Sequence, residues 1–531
     1  MKKGIAILSA AALALALAAC GARDGEASAV DTTVSADKVT GAFSLQTGDG
    51  AVERADGVYT ITSAGTYTAK GLLDGRIVVD AGENDEVVLQ LAGATVTCGQ
   101  GAPIEVRTAG KTEISAVRGT ENVIEDTRTV QIAAQTEGAI SAACDLKIKG
   151  HGILVVDGGA GSGIVTTKDL VIQNLSLKVV ARGAAICGGD SVTVTGGRLV
   201  AASKTGDGVK TENTDLNKSG KVRGDVLLSG GEITVYAAGD GFSAAHDFEM
   251  TAQADGGAPT VTVYTGACSG YTASDVTTTS YKGVKAQNEV RVADGEITLF
   301  CDDDGLHADS GKIFAAGGVG KGDILLSGGK VVMCVSTPEN KTAAEHKSAA
   351  AAQTAYGADA VHADGVLEIS GGRVTIESAY EGLEANVIRI LGGRTTIRAG
   401  DDGVNACKGA EAPRVEICGG YLDVEVSPTK DTDGIDTNGD YVQSGGVVIT
   451  RGPSGAAAAA LDADGDVTVS GGTLIVLGGA TLPKGDLPSY ALDLHTEGTH
   501  TVEIGGVSYT FTNSETYGGT ACYSDQPVTS R

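Results

Sequence analysis

The stretch Glu381-Gly382-Leu383 … Leu391-Gly392-Gly393 … Asp402-Gly403-Val404 … Cys418-Gly419-Gly420 … Asp433-Gly434-Ile435 … Ser444-Gly445-Gly446 states one phrase three times. An acid-Gly-apolar step is followed about ten residues later by a Gly-Gly pair flanked by alternating apolar residues. The steps at Gly382, Gly403 and Gly434 lie 21 and 31 residues apart, and the pairs at Gly392, Gly419 and Gly445 lie 27 and 26 apart. Variable length between fixed phrases places insertions between strands. The same phrase occurs upstream at Asp207-Gly208-Val209, Asp240-Gly241-Phe242 and Asp304-Gly305-Leu306, with Ser229-Gly230-Gly231, Ser327-Gly328-Gly329 and Ser370-Gly371-Gly372.

Strands and turns repeating every twenty to thirty residues, with no helical pattern, mark units that bury their apolar faces only by stacking on their neighbours. Val226-Leu228 and Ile233-Val235 flank one Gly-Gly, and Leu367-Ile369 and Val374-Ile376 another, each alternating with polar residues. The sequence therefore predicts an all-β parallel β-helix, or β-solenoid, of about twelve regular coils over residues 41–481. A less regular N-terminal stretch, residues 51–132, is expected to form the N-terminal cap and the first coils, and a β cap is expected over residues 482–531. Insertions are expected at residues 212–223, 265–281 and 336–356, the last with the Ala-, Lys- and Glu-rich composition of a short helix. The Gly-Gly pair would serve a corner with positive φ or a close approach to the next coil.

Composition agrees: 79 of 531 residues are glycine, there is no Trp, and only six are Phe, so a thin interior is filled by Val, Ile, Leu and Ala. The N-terminus adds location. Lys2 and Lys3 precede an apolar run that is too short to span a bilayer and ends in Leu17-Ala18-Ala19-Cys20-Gly21. That box resembles a bacterial lipoprotein signal, which makes residues 1–19 the leader, Cys20 the lipidated residue, 20–40 a tether, and the cell surface the destination. The formal charge of −27 repels nucleic acid and anionic membranes, leaving the lipid as the membrane contact. With no Cys-x-x-Cys pair, the other nine cysteines read chiefly as small buried residues, with one or two disulfides the alternative.

Stacking brings equivalent acids near one another, and like charges about 5 Å apart need screening or a cation. Carboxylates on flexible turns suit Ca²⁺, so Asp207, Asp240, Asp303, Asp304, Asp401, Asp402 and Asp433 are the candidate metal ligands. Asp-Gly also simply makes good turns, which is the competing reading. His246, His307 and His362 read as a solvated ladder beside the acids, with zinc ligation or catalysis as the alternative. Lys210, Lys282 and Lys285 could hold a sugar carboxylate, and Tyr236 and Tyr264 could stack on sugar rings.

Residues 119–126 (GTENVIED), 137–141 (EGAIS), 145–152 (DLKIKGHG) and 163–170 (GIVTTKDL) together resemble the bacterial carbohydrate-binding domain-containing lipoproteins, over roughly residues 40–480. That family includes a clostridial surface protein that binds cellulose and polygalacturonate on a calcium-carrying, right-handed parallel β-helix. The resemblance implies right-handed coiling, Ca²⁺, and an acidic or cellulosic polysaccharide as partner. The expected function is a lipid-anchored, non-catalytic adhesin. A calcium-dependent lyase, with a Lys removing the proton beside a uronate, and a purely structural surface protein are the alternatives.

Overall fold

The computed structural model describes residues 34–48, 50, 52–129, 137–271, 280–335, 357–429, 431–455 and 458–530. The leader, Cys20 and the insertion at 336–356 lie outside the described residues. The rest is all-β apart from a short 3₁₀ turn at Gly266–Ser269.

Forty-two strands join in one sheet, and nearly all of the pairings are parallel. Most strands bond not to their neighbour in sequence but to the equivalent strand of the next repeat. One ladder runs through Val209–Thr211, Phe242–Ala244, Val284–Ala286 and Leu306–Ala308 to Val361–Ile369, Leu383–Ile390, Val404–Ala406 and Ile435–Thr437. The alternating apolar residues face inward. Val226, Leu228, Ile233 and Val235 are all essentially buried, inside one core that reaches from Tyr59 to Val476. Burying such side chains contributes about 1.5–3 kcal/mol each, which is what holds together repeats that are too thin to fold alone.

The two glycines of the phrase do different work. The glycine after the acid is a matter of close approach: a Cβ on Gly403 would lie 2.1 Å from Val424 Cγ1 and 2.6 Å from the Gly434 carbonyl oxygen. The second glycine of each pair is conformational, with φ of +74° at Gly372 and +76° at Gly393, a region that side chains avoid.

The expected right-handed β-helix of about twelve regular coils between separate caps is corrected by these pairings. Parallel pairing starts at Val58–Ile61 on Arg76–Asp80, in the stretch expected to hold the cap and the first coils. Ser191–Ser203 and Asp225–Ala237 run straight through the Gly-Gly that was to turn a corner, and each pairs in two ladders at once, with register shifts at the glycines. Glycine permits a bulge as readily as a corner, so the sequence could not distinguish them. Both ends are antiparallel, Ser44–Thr47 on Gly65–Asp74 and Thr520–Ser524 on Thr473–Leu477. The described architecture is thus a 42-stranded, mainly parallel sheet of uneven repeats, with a three-stranded antiparallel sheet at its C-terminal end.

Among the described residues, Cys98, Cys144, Cys187, Cys301 and Cys522 are buried free thiols, Cys407 is a half-buried one and Cys418 an exposed one.

Candidate functional site

The acid before each glycine occupies one column. The amides of Gly208, Gly241, Gly283, Gly305, Ala360, Gly382 and Gly403 donate to the carbonyls of Asp240, Lys282, Asp304, Asp359, Glu381, Asp402 and Asp433 respectively, each one repeat further on. The side chains then repeat the step. Asp207 accepts the Asp240 amide at 3.1 Å, Asp240 the Lys282 amide at 2.9 Å and Asp304 the Asp359 amide at 2.9 Å. Asp402 accepts the Asp433 amide at 2.7 Å, and Asp433 the Ala459 amide at 2.5 Å. A charge-assisted bond of this kind contributes about 1.5–3 kcal/mol. Each of these predicted ligands therefore spends one oxygen on the next repeat, a structural duty the sequence did not disclose.

Burial raises most of this column. It pushes Asp207 up to about 6, with Asp240 adding to the effect, and Asp433 up to about 7. Asp402 rises through burial and the nearby Asp401. Asp304 behaves oppositely: although buried, it is held well below the usual carboxylate range by His307 and Lys282. Lysine replaces the acid at this point of the column, and Lys282 Nζ sits 2.8 Å from Asp304 and 3.1 Å from Asp303. The chain supplies its own cation here. Asp401, by contrast, donates its amide to the Tyr380 carbonyl.

Two residues beyond the glycine, a second column faces outward. Its register runs Lys210, Ser243, Lys285, His307, His362, Glu384, Asn405, Asp436 and Asp462. It is basic at one end and acidic at the other, with two stacked imidazoles between: His307 and His362 are 4.8 Å apart and 10° from parallel. Lys210 pairs with Glu212 at 2.6 Å and Lys285 with Asp309 at 3.3 Å. At the other end burial, with Asp462 nearby, raises Asp436 to about 6.

The predicted substrate residues separate. Lys210 and Lys285 share this column, Lys282 stands in the inner one, and the tyrosines lie elsewhere. Tyr236, Tyr264 and Phe300 form a stack with 5.0 Å between successive rings, in the ladder of Asp225–Ala237, Thr260–Thr265 and Glu296–Cys301. Tyr236 is only 5% exposed, in a cluster with Val34, Val200 and Tyr271, and Phe300 packs with Cys268. These rings cover a flank of the sheet and present no open platform.

Sequence reading missed a cavity of about 860 Å³ between the ladders and residues 217–223, lined among others by Lys168, Asp190, Lys218, Lys221, Arg223 and Asp247. Arg223 pairs with the buried Asp190, which also holds Asn213 at 2.6 Å. The only sign of it in the sequence was the break in period at residues 212–223.

Among the described residues, three groups bring at least three metal-ligating side chains together: Asp304, His307 and His362; Asp359, His362 and Glu384; and Asp225, His246 and Asp247. Each contains histidine, whereas Ca²⁺ prefers an all-oxygen shell. Of the predicted calcium ligands only Asp304 belongs to one; the acids at 207, 240, 402 and 433 are brought into a column, with Asp303 and Asp401 beside it, and not into a closed cage.

A carbohydrate-binding domain-containing protein of Acetivibrio thermocellus is 35% identical over 126 residues, which are 23% of this chain and 44% of that relative. The match thus spans less than half of the relative's length. A solved structure described as a polysaccharide lyase-like protein from C. thermocellum, a gadolinium derivative, is 28% identical, covering 47% of this chain and 92% of its own. Its TM-score of 0.38 is too low to argue fold or mechanism. That description nonetheless removes the ground for the expectation of a non-catalytic protein, which is withdrawn. With its family model matching residues 55–336 and 319–403, the chain belongs to the carbohydrate-binding domain-containing protein family.

Proposed function

We propose that this protein is a lipid-anchored cell-surface protein that takes up an acidic polysaccharide along its outward column, with Ca²⁺ bridging glycan and protein at the acidic end. The observation that carries this reading is the change of sign along one register, from Lys210 and Lys285 to Glu384, Asp436 and Asp462. An extended chain of uronates presents carboxylates at regular intervals. At the basic end they meet ammonium groups directly. At the acidic end they meet carboxylates, and only a shared divalent cation makes that contact favourable. The raised Asp433 and Asp436 are carboxylates that a cation would return to the ionised state.

Membership of a carbohydrate-binding family supports a sugar ligand, and the Leu17-to-Gly21 box supports Cys20 as the lipid attachment that holds the chain at the cell surface. Lys210 and Lys282 have their ammonium forms favoured by Glu212 and by Asp304 and Asp303, although burial opposes this. Both are therefore suited to holding an anion more than to accepting a proton.

The test is retention on immobilised polygalacturonate in calcium and in chelator, with the eluate followed at the ultraviolet band of an unsaturated uronate. Calcium-dependent retention that falls in the Lys210→Ala/Lys285→Ala double variant is expected. Retention indifferent to both would refute the proposal, and accumulating unsaturated product would assign elimination chemistry to the same face.

A further inference from the structure

The hexapeptides Asp304-Gly305-Leu306-His307-Ala308-Asp309 and Asp359-Ala360-Val361-His362-Ala363-Asp364 carry the same pattern, an acid, a histidine three residues on and an acid two beyond that. They lie on adjacent repeats, with His307 in register with His362. In both, one imidazole nitrogen faces inward and the other outward. His307 Nδ1 is 2.6 Å from Asp304 and its Nε2 2.8 Å from Asp309. His362 Nδ1 is 3.0 Å from Asp359 and its Nε2 3.4 Å from Asp364.

The two copies differ in how the inner acid is satisfied. Asp304 has both oxygens engaged, one by the Asp359 amide and the other by His307 and the Lys282 ammonium. Asp359 has no such lysine. It is 4% exposed, and its Oδ1 is buried with no hydrogen-bond partner. A second carboxylate, Glu384, enters instead, its Oε2 2.7 Å from His362 Nδ1. Two carboxylates therefore converge on one imidazole nitrogen, and one of them leaves an oxygen unspent.

We infer that Asp359, His362 and Glu384 form a binding site for a single zinc-class divalent ion, filling the place that Lys282 fills one repeat earlier. The donor set is one imidazole and two carboxylates, which suits Zn²⁺, Co²⁺ or Ni²⁺ better than an all-oxygen Ca²⁺ shell. Asp364 stands where an outer-shell carboxylate orients a ligating histidine, accepting from Nε2 and leaving Nδ1 free to bind the ion. His362 and Glu384 are partly exposed, side chains 25% and 21%, so the ion has a route in and room for a water or ligand oxygen. On binding, the proton carried between His362 and its carboxylates is released to solvent.

This site stands independently of polysaccharide binding and is tested without glycan. The full chain, stripped with chelator, is titrated with Co²⁺ while the visible d–d absorption is followed, and bound Zn²⁺ is counted after dialysis. One equivalent of either metal is expected, persisting in millimolar Ca²⁺ and lost by at least tenfold in affinity in both His362→Gln and Glu384→Gln, with circular dichroism confirming that each is folded. His246→Gln, in the separate group with Asp225 and Asp247, should leave it unchanged. Binding that survives both site variants, moves to His246, yields to Ca²⁺, or is missing from the wild type would overturn the assignment.

Discussion

The two ends of the outward column share one backbone geometry and carry opposite chemistry. Around Lys210 and Lys285 the chain neutralises itself: Lys282 reaches into the inner column, Asp303 and Asp304 close on it, and Asp304 is held ionised. From Asp402 to Asp462 no lysine takes that place in either column. Burial and like charge push the carboxylates up, Asp433 to about 7 and Asp436 to about 6. A fold that tolerates acids in vertical register must find a counter-charge for them. One end finds it in the sequence, and at the other the proposed Ca²⁺ would supply it.

The largest expected effect lies where the two regimes meet. Asp304→Asn removes one of the two carboxylates that hold a largely buried Lys282; breaking a buried pair costs about 3–5 kcal/mol, and the remaining Asp303 contact holds the loss to the lower end, about 3 kcal/mol. Chemical denaturation should show that loss. The corresponding change one repeat later, Asp359→Asn, should cost at most about 1 kcal/mol in metal-free buffer, because burial already favours the neutral form of Asp359. Equal costs would erase the contrast.

The acidic end should be the pH-sensitive one. Asp433 and Asp436 ionise near 4 when unfolded and at about 7 and 6 when folded. Their contribution is therefore fully present below pH 4 and lost as pH rises through about 6–7. In chelator the thermal midpoint should fall between pH 4.5 and 7.5, and calcium at a hundredfold its Kd should recover about 2.7 kcal/mol. A midpoint that rises over this range, or that ignores calcium, would show that these acids are already compensated. A smaller effect follows at Asp433: Asp433→Asn keeps an acceptor for the Ala459 amide, so at pH 8 in chelator it should be slightly stabilising, by less than about 1 kcal/mol. At the basic end Lys210→Ala should weaken glycan retention about fivefold, near 1 kcal/mol, with the midpoint almost unmoved, since its partner Glu212 is half exposed.

Much of this was legible because period and side-chain alternation dictate which residues stack. The Asp-Gly steps revealed the inner column, and His307 and His362 read as a ladder beside it. What was not legible depends on the third dimension. Gly196-Gly197 and Gly230-Gly231 read like every other Gly-Gly, yet their strands run on through them. Asp207 and Asp402 looked like free ligands because nothing in a sequence shows that an oxygen is spent on a backbone amide one repeat away. Tyr236 and Tyr264 looked available for sugar, but 28 residues of separation put ring upon ring and closed both into a flank. Asp359 is followed by Ala360 where the phrase has glycine, and it is the copy with the unspent oxygen.

Recognition of charge by this column is tested most directly by equilibrium binding of the full chain to polygalacturonate and to its methyl ester, in calcium and in chelator. Esterification leaves the polymer's shape and removes its carboxylates. The expected result is tight binding of the acid form in calcium and at least tenfold weaker binding of the ester, with chelator weakening the acid form and leaving the ester unaffected. Equal affinity for acid and ester in both buffers would contradict the proposal.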